Sequence, residues 1–445
     1  MKDASDKVTA WLEAHIGGTV VHIARQPRWR RVWFADIDRD GERLELCVRG
    51  DRTDMSLIFP LRHEMRFQSL LHDHGIPVPK VYGWIEDPCA YVMDRVPGRE
   101  DFAQATDDER WSVVDDYVQI LARLHQLDLT PFVEAGIIRA PRPAESGLIG
   151  MQRYERMYRS TKRHPEPFME FCLGWLRRHA PDSKGREAPI VWDSGQFHHR
   201  GGRIAAVLDL ELGHIGDPMM DLAALRTRDT VIGYGDFTQL YNRYAELTGA
   251  PVDLDAVRIH HFAFTLTNQL AFAAALREPA PESDLMMNLR WCGETNLFAT
   301  EALADYLDIE LPTVEMPEPR GSRVAAAHEH LVQTLRLLET ADEFVRYRAR
   351  IAFRLARHLQ RYDEIGDALV EADLDDLHQL LGRRPATWRD GEAELERFVL
   401  ADADVGRHDE ALIALLHRRN LRAQMLLGPA GAAMTRHFPA QRFRL

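Results

Sequence analysis

Strand-forming patterns occur in two blocks of this 445-residue chain, and helix-forming patterns fill most of the rest. In the first block, VWFADID and LELCVRG flank the tetrapeptide RDGE at 39–42, and its central Asp-Gly pair is a strong hairpin signal. The segment LRHEMRFQSLLHDHG (61–75) has apolar residues at near-helical spacing, and GIPVPKVYGWIED and CAYVMDRVPG predict two more strands. This order predicts an α+β protein that begins with a β-rich lobe.

Helical patterns dominate from about residue 106 onward. A short β segment at 189–218 interrupts them, and its glycine pair at 201–202 predicts a hairpin. The stretch LPTVEMPEPRGS holds three prolines and one glycine, which is the composition of a linker. We therefore predict a β-rich lobe at 1–97, a helical lobe at 98–310, a linker at 311–322 and a separately folding all-α domain at 323–445.

Charge and cysteine content exclude several classes of protein. Lysine and arginine total 56 and aspartate and glutamate total 69, so the net charge of −13 argues against general nucleic-acid binding. The four cysteines are far apart and form no CxxC pair, which argues against a zinc cluster or a disulfide framework. The N-terminus lacks the apolar core of a signal peptide, and no apolar run reaches the ~18 residues that a membrane span needs. We expect a reduced, cytoplasmic protein.

Two aspartates stand at the ends of predicted strands in the 189–218 segment. Asp193 follows the apolar run PIVW, and Asp209 follows IAAVL. Carboxylates in such places are natural Mg²⁺ ligands, because Mg²⁺ prefers hard oxygen donors and leaves positions for phosphate oxygens. Aspartate at a strand end is also a common turn former, so the pattern alone leaves both interpretations open.

Several blocks of the sequence resemble the aminoglycoside-phosphotransferase-like kinases. AAVLDLELGHIGDPMMDLA resembles the family's metal-binding block, GIPVPKVYGW followed by YVMDRVPG resembles its fourth and fifth strands and adenine hinge, and ILARLHQLD resembles the helix before the catalytic segment. The blocks occur in the family's order between about 15 and 310. The resemblance implies a bilobal protein-kinase-like fold followed by an all-α C-terminal domain, and an enzyme that transfers the γ-phosphoryl group of ATP to a hydroxyl of a small molecule.

The resemblance also implies a role for individual residues. Asp209 would bind Mg²⁺ and orient the ATP phosphates, with Gln196 as the second metal ligand. Asp193 would accept the proton of the attacking hydroxyl. Arg49 would meet the phosphates where the family has a lysine, and Glu64 would be its ion-pair partner.

The adenine site is expected at the end of the fifth strand. By the same resemblance, Met93, Asp94 and Val96 would offer their backbone groups to the base. The implied cofactors are therefore ATP and Mg²⁺.

The sequence departs from the family pattern at the catalytic loop. The family has histidine-glycine-aspartate, four residues and then asparagine, whereas only Ser194 and Gly195 separate Asp193 from Gln196 here. Arginine at position 49 replaces the compact ammonium group of the family's lysine by a planar guanidinium, which is not a conservative change at a phosphate site. These departures favour an alternative, a pseudokinase that binds nucleotide or a partner without catalysis.

The family's glycine-rich loop is also absent, and RQPRWRRVWF stands in its place. Its arginines, Arg25, Arg28, Arg30 and Arg31, have two interpretations. They hold phosphates by bidentate contacts in one, and they form the solvated face of a strand in the other.

The region 323–445 contains no catalytic constellation. Its amphipathic stripes are typical of a helical bundle core. A homo-oligomer contact or the docking of a protein partner is the role that we expect for it.

Overall fold

The computed structural model describes residues 4–52, 55, 57–281, 283–428 and 440–441. The chain divides into two compact units. The first is drawn from Met1–Arg153, Asp182–His260 and Gln441–Leu445, and the second from Tyr154–Pro181 and His261–Ala440. The domain boundaries suggested by the sequence, near 97, 310 and 322, divide the chain differently and stay a prediction.

A five-stranded antiparallel sheet opens the first unit, with strand order β1-β2-β3-β5-β4. The predicted hairpin at 39–42 is confirmed, since Arg39 pairs with Glu42 and both Asp40 and Gly41 have positive φ, as the favoured two-residue turn requires. The central strand β3 is hydrogen-bonded on both sides, which fixes Arg49 near its end. The strands are β1 Thr19–Arg25, β2 Val32–Arg39, β3 Glu42–Gly50, β4 Val81–Ile85 and β5 Ala90–Asp94.

A helix between β3 and β4, α2 (Leu61–Asp73), packs against β4 and β5. Its buried face carries Phe67 and Leu71, and also Glu64 and Gln68. The helix ends before Gly75, whose φ of 77° suits the position after a helix. The helix predicted at 61–75 is therefore confirmed, and it buries a carboxylate beneath the sheet.

Two short antiparallel pairs make up the later β segment. β6 (Ala188–Ile190) pairs with β9 (His214–Gly216), and β7 (Phe197–Arg200) forms the predicted Gly-Gly hairpin with β8 (Arg203–Val207). Asp193 follows β6 and Asp209 follows β8, so the strand ends deliver both aspartates to one region.

Helices form the rest of the first unit. Their apolar faces meet in one core that includes Tyr117, Leu121, Phe197 and Leu222. The helix predicted from about 106 begins with a capping box, in which Thr106 and Glu109 satisfy each other's backbone N–H. The helices are α1 Ala4–His15, α2, α3 Asp107–Leu124, α4 Thr130–Glu134, the first part of α5 Ile149–Thr161, α7 Met219–Ile232, α8 Phe237–Thr248 and the first part of α9 Leu254–Thr265.

In the part of the second unit that the structure describes, all regular structure is helical. Its longest helix has 39 residues, is capped by Asp342 and ends at Gly382. The α+β fold class and the helical character of the C-terminal region are therefore confirmed. The helices are α6 Pro167–Arg178, α10 Thr267–Arg277, α11 Leu285–Leu307, α12 Ala325–Arg336, α13 Glu343–Leu381, α14 Trp388–Asp402 and α15 Asp409–Leu427.

Among the described residues, no helix has the length and apolar character that crossing a bilayer requires.

Candidate active site

Arg49 lies between two acidic side chains that come from other elements. Its Nε is 2.7 Å from Oε1 of Glu64 on α2, and its Nη2 forms an ion pair with Asp209, which follows β8. Glu64 is almost fully buried, whereas the side chain of Asp209 is 31% exposed. The structure thus brings together three residues that the sequence assigned to phosphate and metal binding, and it leaves one of them open to a ligand.

A second arginine, Arg30, also contacts the carboxylate of Glu64. Its Nη2 is 3.1 Å from Oε2 of Glu64, its Nη1 is 2.8 Å from Oε2 of Glu211, and its Nε donates to the carbonyl of Gly50 at 2.9 Å. Because the side chain is only 2% exposed, Arg30 is not part of a solvated strand face. The interpretation of the arginine run as a solvated surface is therefore wrong for Arg30.

Burial and neighbouring charges set the acidity of this cluster. Burial raises the pKa of the Asp209 carboxyl, but Arg49 and Arg30 outweigh it and hold the pKa well below its usual range. Burial raises the pKa of Glu211, and the negative charge of Asp209 raises it further. Asp209 is therefore the carboxylate that stays ionised and available to a cation.

Asp193 has a donor on each carboxylate oxygen. Arg228 on α7 pairs with Oδ1, and the side-chain amide of Gln196 donates to Oδ2 at 2.6 Å. The same amide lies 3.4 Å from Oδ2 of Asp209. Burial raises the pKa of Asp193, and Arg228 opposes this effect. Gln196 therefore links the two aspartates that the sequence assigned to the base and the metal.

Aromatic hydroxyls hold the shortened loop. Tyr117 accepts from the backbone N–H of Gly195 at 2.8 Å and lies 2.8 Å from the hydroxyl of Ser194, while Tyr234 donates to the Gly195 carbonyl at 2.8 Å. Gly195 has φ of 95°, and a Cβ there would lie 2.6 Å from the Tyr234 hydroxyl. The loop is therefore short but closely packed, and only glycine fits at 195.

The residue before the candidate base is in the left-handed region. Trp192 has φ of 61°. The aminoglycoside-phosphotransferase-like kinases, which the sequence resembles, have glycine at this position. Asp221 accepts the backbone N–H of Val191 at 3.1 Å and that of Trp192 at 2.6 Å. The indole packs against Gly150, where a Cβ would come within 2.2 Å of the ring. These contacts hold a bulky residue in a conformation that costs ~1–3 kcal/mol, and so fix the direction of the following Asp193.

The predicted adenine segment lies at and beyond the end of β5. Met93 is paired with strands on both sides, the Asp94 N–H donates to the Lys80 carbonyl at 3.0 Å, and His198 Nδ1 donates to the Val96 carbonyl at 2.9 Å. Within the described part of the chain, nothing accepts a hydrogen bond from the Val96 N–H. That group is therefore available to a ligand, and the adenine-binding role of the segment stays a prediction.

The oxygen donors fit a magnesium ion better than a softer metal. Among the described residues, no three histidine, cysteine or carboxylate side chains converge as a protein-only metal site. Mg²⁺ does not need one, because it is held by one or two carboxylates together with water and phosphate oxygens. Asp209 supplies one such carboxylate, although its Oδ1 is paired with Arg49, and Gln196 would have to turn its amide oxygen, rather than its nitrogen, toward the ion.

The sequence did not predict a role for three individual residues of the site, Glu211, Asp221 and Arg228. Glu211 stands two residues after Asp209 inside a block that was recognised, so its charge was a usable signal. Asp221 lies in the aspartate-leucine-alanine end of the same block. Arg228 had no local signal, because it is 35 positions from its partner Asp193.

The model of the APH family, described as the phosphotransferase enzyme family, matches residues 30–260. The chain belongs to this family. The matched range contains the whole cluster from Arg30 to Arg228, and it confirms the resemblance to small-molecule phosphotransferases.

Curated relatives match a smaller part of the chain. Acyl-CoA dehydrogenase family member 11 of Rattus norvegicus is 30% identical over 175 residues, which are 36% of this chain and 22% of that protein. The human protein of the same name is 29% identical over 180 residues, and the probable acyl-CoA dehydrogenase IBR3 of Arabidopsis thaliana is 26% identical over 168 residues. This chain spans about a fifth of the length of these relatives.

Solved structures include similar chains at low identity. The choline kinase LicA of Streptococcus pneumoniae is 14% identical, with a TM-score of 0.48, over 68% of this chain and all of that one. The macrolide 2′-phosphotransferase MphH of Brachybacterium faecium is 20% identical, with a TM-score of 0.44, over 63% of this chain and 94% of that one.

Proposed function

We propose that this protein is an ATP-dependent phosphotransferase that transfers the γ-phosphoryl group to a hydroxyl of a small molecule. The observation that carries the proposal is the convergence of Arg49, Glu64 and Asp209 beside Asp193, within the range matched by the phosphotransferase family. Phosphoryl transfer needs positioning and charge neutralisation more than covalent chemistry, so this set of groups is sufficient for it.

The nucleotide would lie over the two buried arginines. Glu64 holds Arg30 and Arg49 side by side through its two oxygens, and Arg49, which is 15% exposed, presents its planar cation to the phosphates. We propose that Arg30, which is 2% exposed, instead fixes the position of Glu64 and Glu211. Adenine would bond to the backbone N–H of Val96.

The acceptor hydroxyl would approach Asp193. Its carboxylate keeps acceptor capacity for a substrate proton, because Arg228 and Gln196 each occupy one lone-pair direction on separate oxygens. Arg228 holds the carboxylate in place and opposes the rise in its pKa that burial causes. Asp209 and a turned Gln196 would hold Mg²⁺, which supplies charge neutralisation at the phosphates.

The names of the relatives suggest which acceptors to try first. The relatives named acyl-CoA dehydrogenase family members match about a third of this chain. Hydroxylated acyl-CoA thioesters therefore join choline, aminoglycosides and macrolides in the substrate panel.

The experiment is ATP turnover by the full chain with each acceptor, read as ADP release and as phosphorylated product. Wild type, Asp193→Asn and Asp209→Asn are compared with Asp73→Asn, an exposed aspartate on α2. The proposal expects product with at least one acceptor, loss in the first two variants and wild-type rates in the third. Nucleotide binding without product for any acceptor would instead favour the pseudokinase alternative, for which the direct Arg49–Asp209 pair is the supporting observation.

A further inference from the structure

One face of α13 in the second unit has the residue spacing of a coiled coil. Its positions are three and four residues apart in alternation, and most of them are apolar. They are Val345, Arg348, Ala352, Leu355, Leu359, Tyr362 and Gly366, and they are called the seam below. The neighbouring helix α12 packs on another side of α13, where Arg336 lies over the ring of Phe353. The seam is therefore a second apolar face of the same helix.

The two parts of the seam differ in shape. Leu359 and Tyr362 project from the C-terminal part, and 49% and 47% of their surfaces are exposed. A Cβ at position 366 would lie 2.9 Å from Cδ1 of Tyr362, so the glycine there lets the ring lie close to the helix backbone. Arg348, Ala352 and Leu355, in the N-terminal part, line an apolar cavity of about 510 Å³. Most of its remaining wall comes from the connection between α10 and α11 and from the first turn of α11.

An antiparallel pairing of two copies of α13 brings the projecting side chains to the cavity. In a two-fold contact, residue i of one copy meets residue j of the other, and j meets i. With the two-fold axis beside position 357, Leu359 of each copy lies opposite Leu355 of the second copy, because both are two positions from the axis. Tyr362 likewise lies opposite Ala352, which has the smallest side chain that α13 contributes to the cavity wall. The seam is thus complementary to itself.

The charges along the seam have the same symmetry. Arg348 and Asp367 are both exposed, and within the described part of the chain neither forms a hydrogen bond or an ion pair. They lie nine positions before and ten positions after position 357, so the antiparallel pairing places Arg348 of each copy beside Asp367 of the second copy. The two residues are about 28 Å apart along one helix and cannot pair within one chain. A parallel pairing would instead place Arg348 against Arg348.

We propose that a second copy of this chain docks on the seam and forms an antiparallel homodimer, in which Leu359 and Tyr362 of each copy fill the cavity of the other. The proposal does not depend on the phosphotransferase activity, because every residue in it lies in the second unit. A second copy is favoured over a small apolar ligand, because a ligand in the cavity would leave Leu359 and Tyr362 exposed and Arg348 and Asp367 without partners.

Sedimentation equilibrium of the full chain between ~1 and ~200 µM tests for the dimer. Leu359→Gln and Tyr362→Gln should each raise the dissociation constant at least ~tenfold, because every dimer loses two buried apolar side chains. Leu331→Gln is the matched control, since it changes a leucine of similar exposure on α12, and it should leave the constant unchanged. Circular dichroism and thermal melting confirm that each variant is folded.

Charge reversal tests the antiparallel direction. Arg348→Asp and Asp367→Arg should each weaken the dimer about three- to tenfold, because each places like charges together at both ends of the contact. An equimolar mixture of the two variants should regain the wild-type constant, since their heterodimer has opposite charges at both ends. Arg350→Asp, which changes an exposed arginine off the seam, should not restore dimerisation when it is mixed with Asp367→Arg.

Four results would overturn the proposal. A chain that stays monomeric at every concentration has no such contact, and one that stays monomeric while its cavity binds anilinonaphthalene sulfonate has a small-ligand site there instead. A dimer that is unaffected by Leu359→Gln and Tyr362→Gln uses another face. A dimer that depends on these residues but is not restored by mixing the two charge variants does not have the antiparallel arrangement.

Discussion

Two groups of arginines in this protein differ in what surrounds them. Arg30 and Arg49, in the first unit, share the buried carboxylate of Glu64, and each has a further carboxylate within ion-pairing distance. Arg290 and Arg354, in the second unit, lie near enough for their charges to act on one another, and Arg354 has a carboxylate, that of Asp284, 3.9 Å away. A buried cation that is paired with a carboxylate is held in a fixed position, because loss of the partner would leave an uncompensated buried charge. The first arrangement therefore fixes the cations of the candidate site, whereas the second leaves neighbouring cations less well balanced by carboxylates.

If the region around Arg30 and Arg49 is organised for catalysis, replacing its aspartates should have the largest effects on activity and nucleotide binding. Replacing Asp193 by asparagine should lower kcat by ~10²–10⁴-fold with little change in KM for ATP, because a positioned base acts in the transition state. Asp209→Asn should instead weaken Mg·ATP binding, measured by calorimetry with and without Mg²⁺.

These two variants check each other. If Asp193→Asn turned over as fast as wild type while Asp209→Asn were inactive, Asp193 would be structural, and Arg228 would be holding the loop and not a base.

Removing the negative charge of Glu64, which Arg30 and Arg49 share, should destabilise the first unit strongly. Glu64→Gln keeps the shape of the side chain but leaves Arg30 and Arg49 without their common counter-charge, so we expect a loss of ~3–5 kcal/mol in the free energy of unfolding. Urea unfolding measures it. Glu86→Gln, which removes an exposed partner of Arg62, is the matched control and should be indistinguishable from wild type. Equal stability of both variants would show that Glu64 does not balance the arginines.

A buried histidine near the candidate base should make stability depend on pH. Burial lowers the pKa of His214 to about 4, and its ring packs against Phe59 and Trp192. The unfolded chain therefore takes up a proton near pH 6.5 that the folded chain resists until about pH 4. Stability is fully present above pH 6.5 and falls by up to ~3 kcal/mol as the pH drops to 4.

Measuring the free energy of unfolding between pH 4 and 7.5 tests whether stability falls as the pH falls. His214→Asn should flatten this part of the profile, and His22→Asn, at an exposed position, should not. A profile that is unchanged in His214→Asn would assign the dependence to other groups.

The local parts of the fold could be predicted from the sequence, because each has a local cause. The Asp-Gly and Gly-Gly hairpins need backbone conformations that few residues adopt, and the pairing of Arg49 with Glu64 followed from the family resemblance. Burial of Arg30 could not be predicted, since an arginine in the connection between β1 and β2 has the same sequence pattern whether it meets water or a buried carboxylate.

Contacts between residues that are far apart in the sequence could not be predicted either. The contact between Arg228 and Asp193 depends on where α7 crosses the loop, which no spacing in the sequence specifies. Likewise, the amphipathic pattern of α13 indicated a bundle core but not that Arg354 would lie near enough to Arg290 for their charges to act on one another.

The smallest expected effect compares a balanced and an unbalanced arginine inside the second unit. Arg422 lies 2.6 Å from carboxylate oxygens of both Asp373 and Asp376, whereas Arg290 has another arginine as a close neighbour. Arg422→Gln should therefore cost ~1–3 kcal/mol of unfolding free energy, because Asp373 and Asp376 each lose one of their two arginine partners. Arg290→Gln should cost nothing and should stabilise the protein by up to ~1 kcal/mol, because it removes a repulsion without breaking a bond. Urea denaturation of the two variants under one buffer condition measures the difference. If Arg290→Gln proved as damaging as Arg422→Gln, Arg290 would be balanced within the protein after all, and the contrast between the two arginines would be wrong.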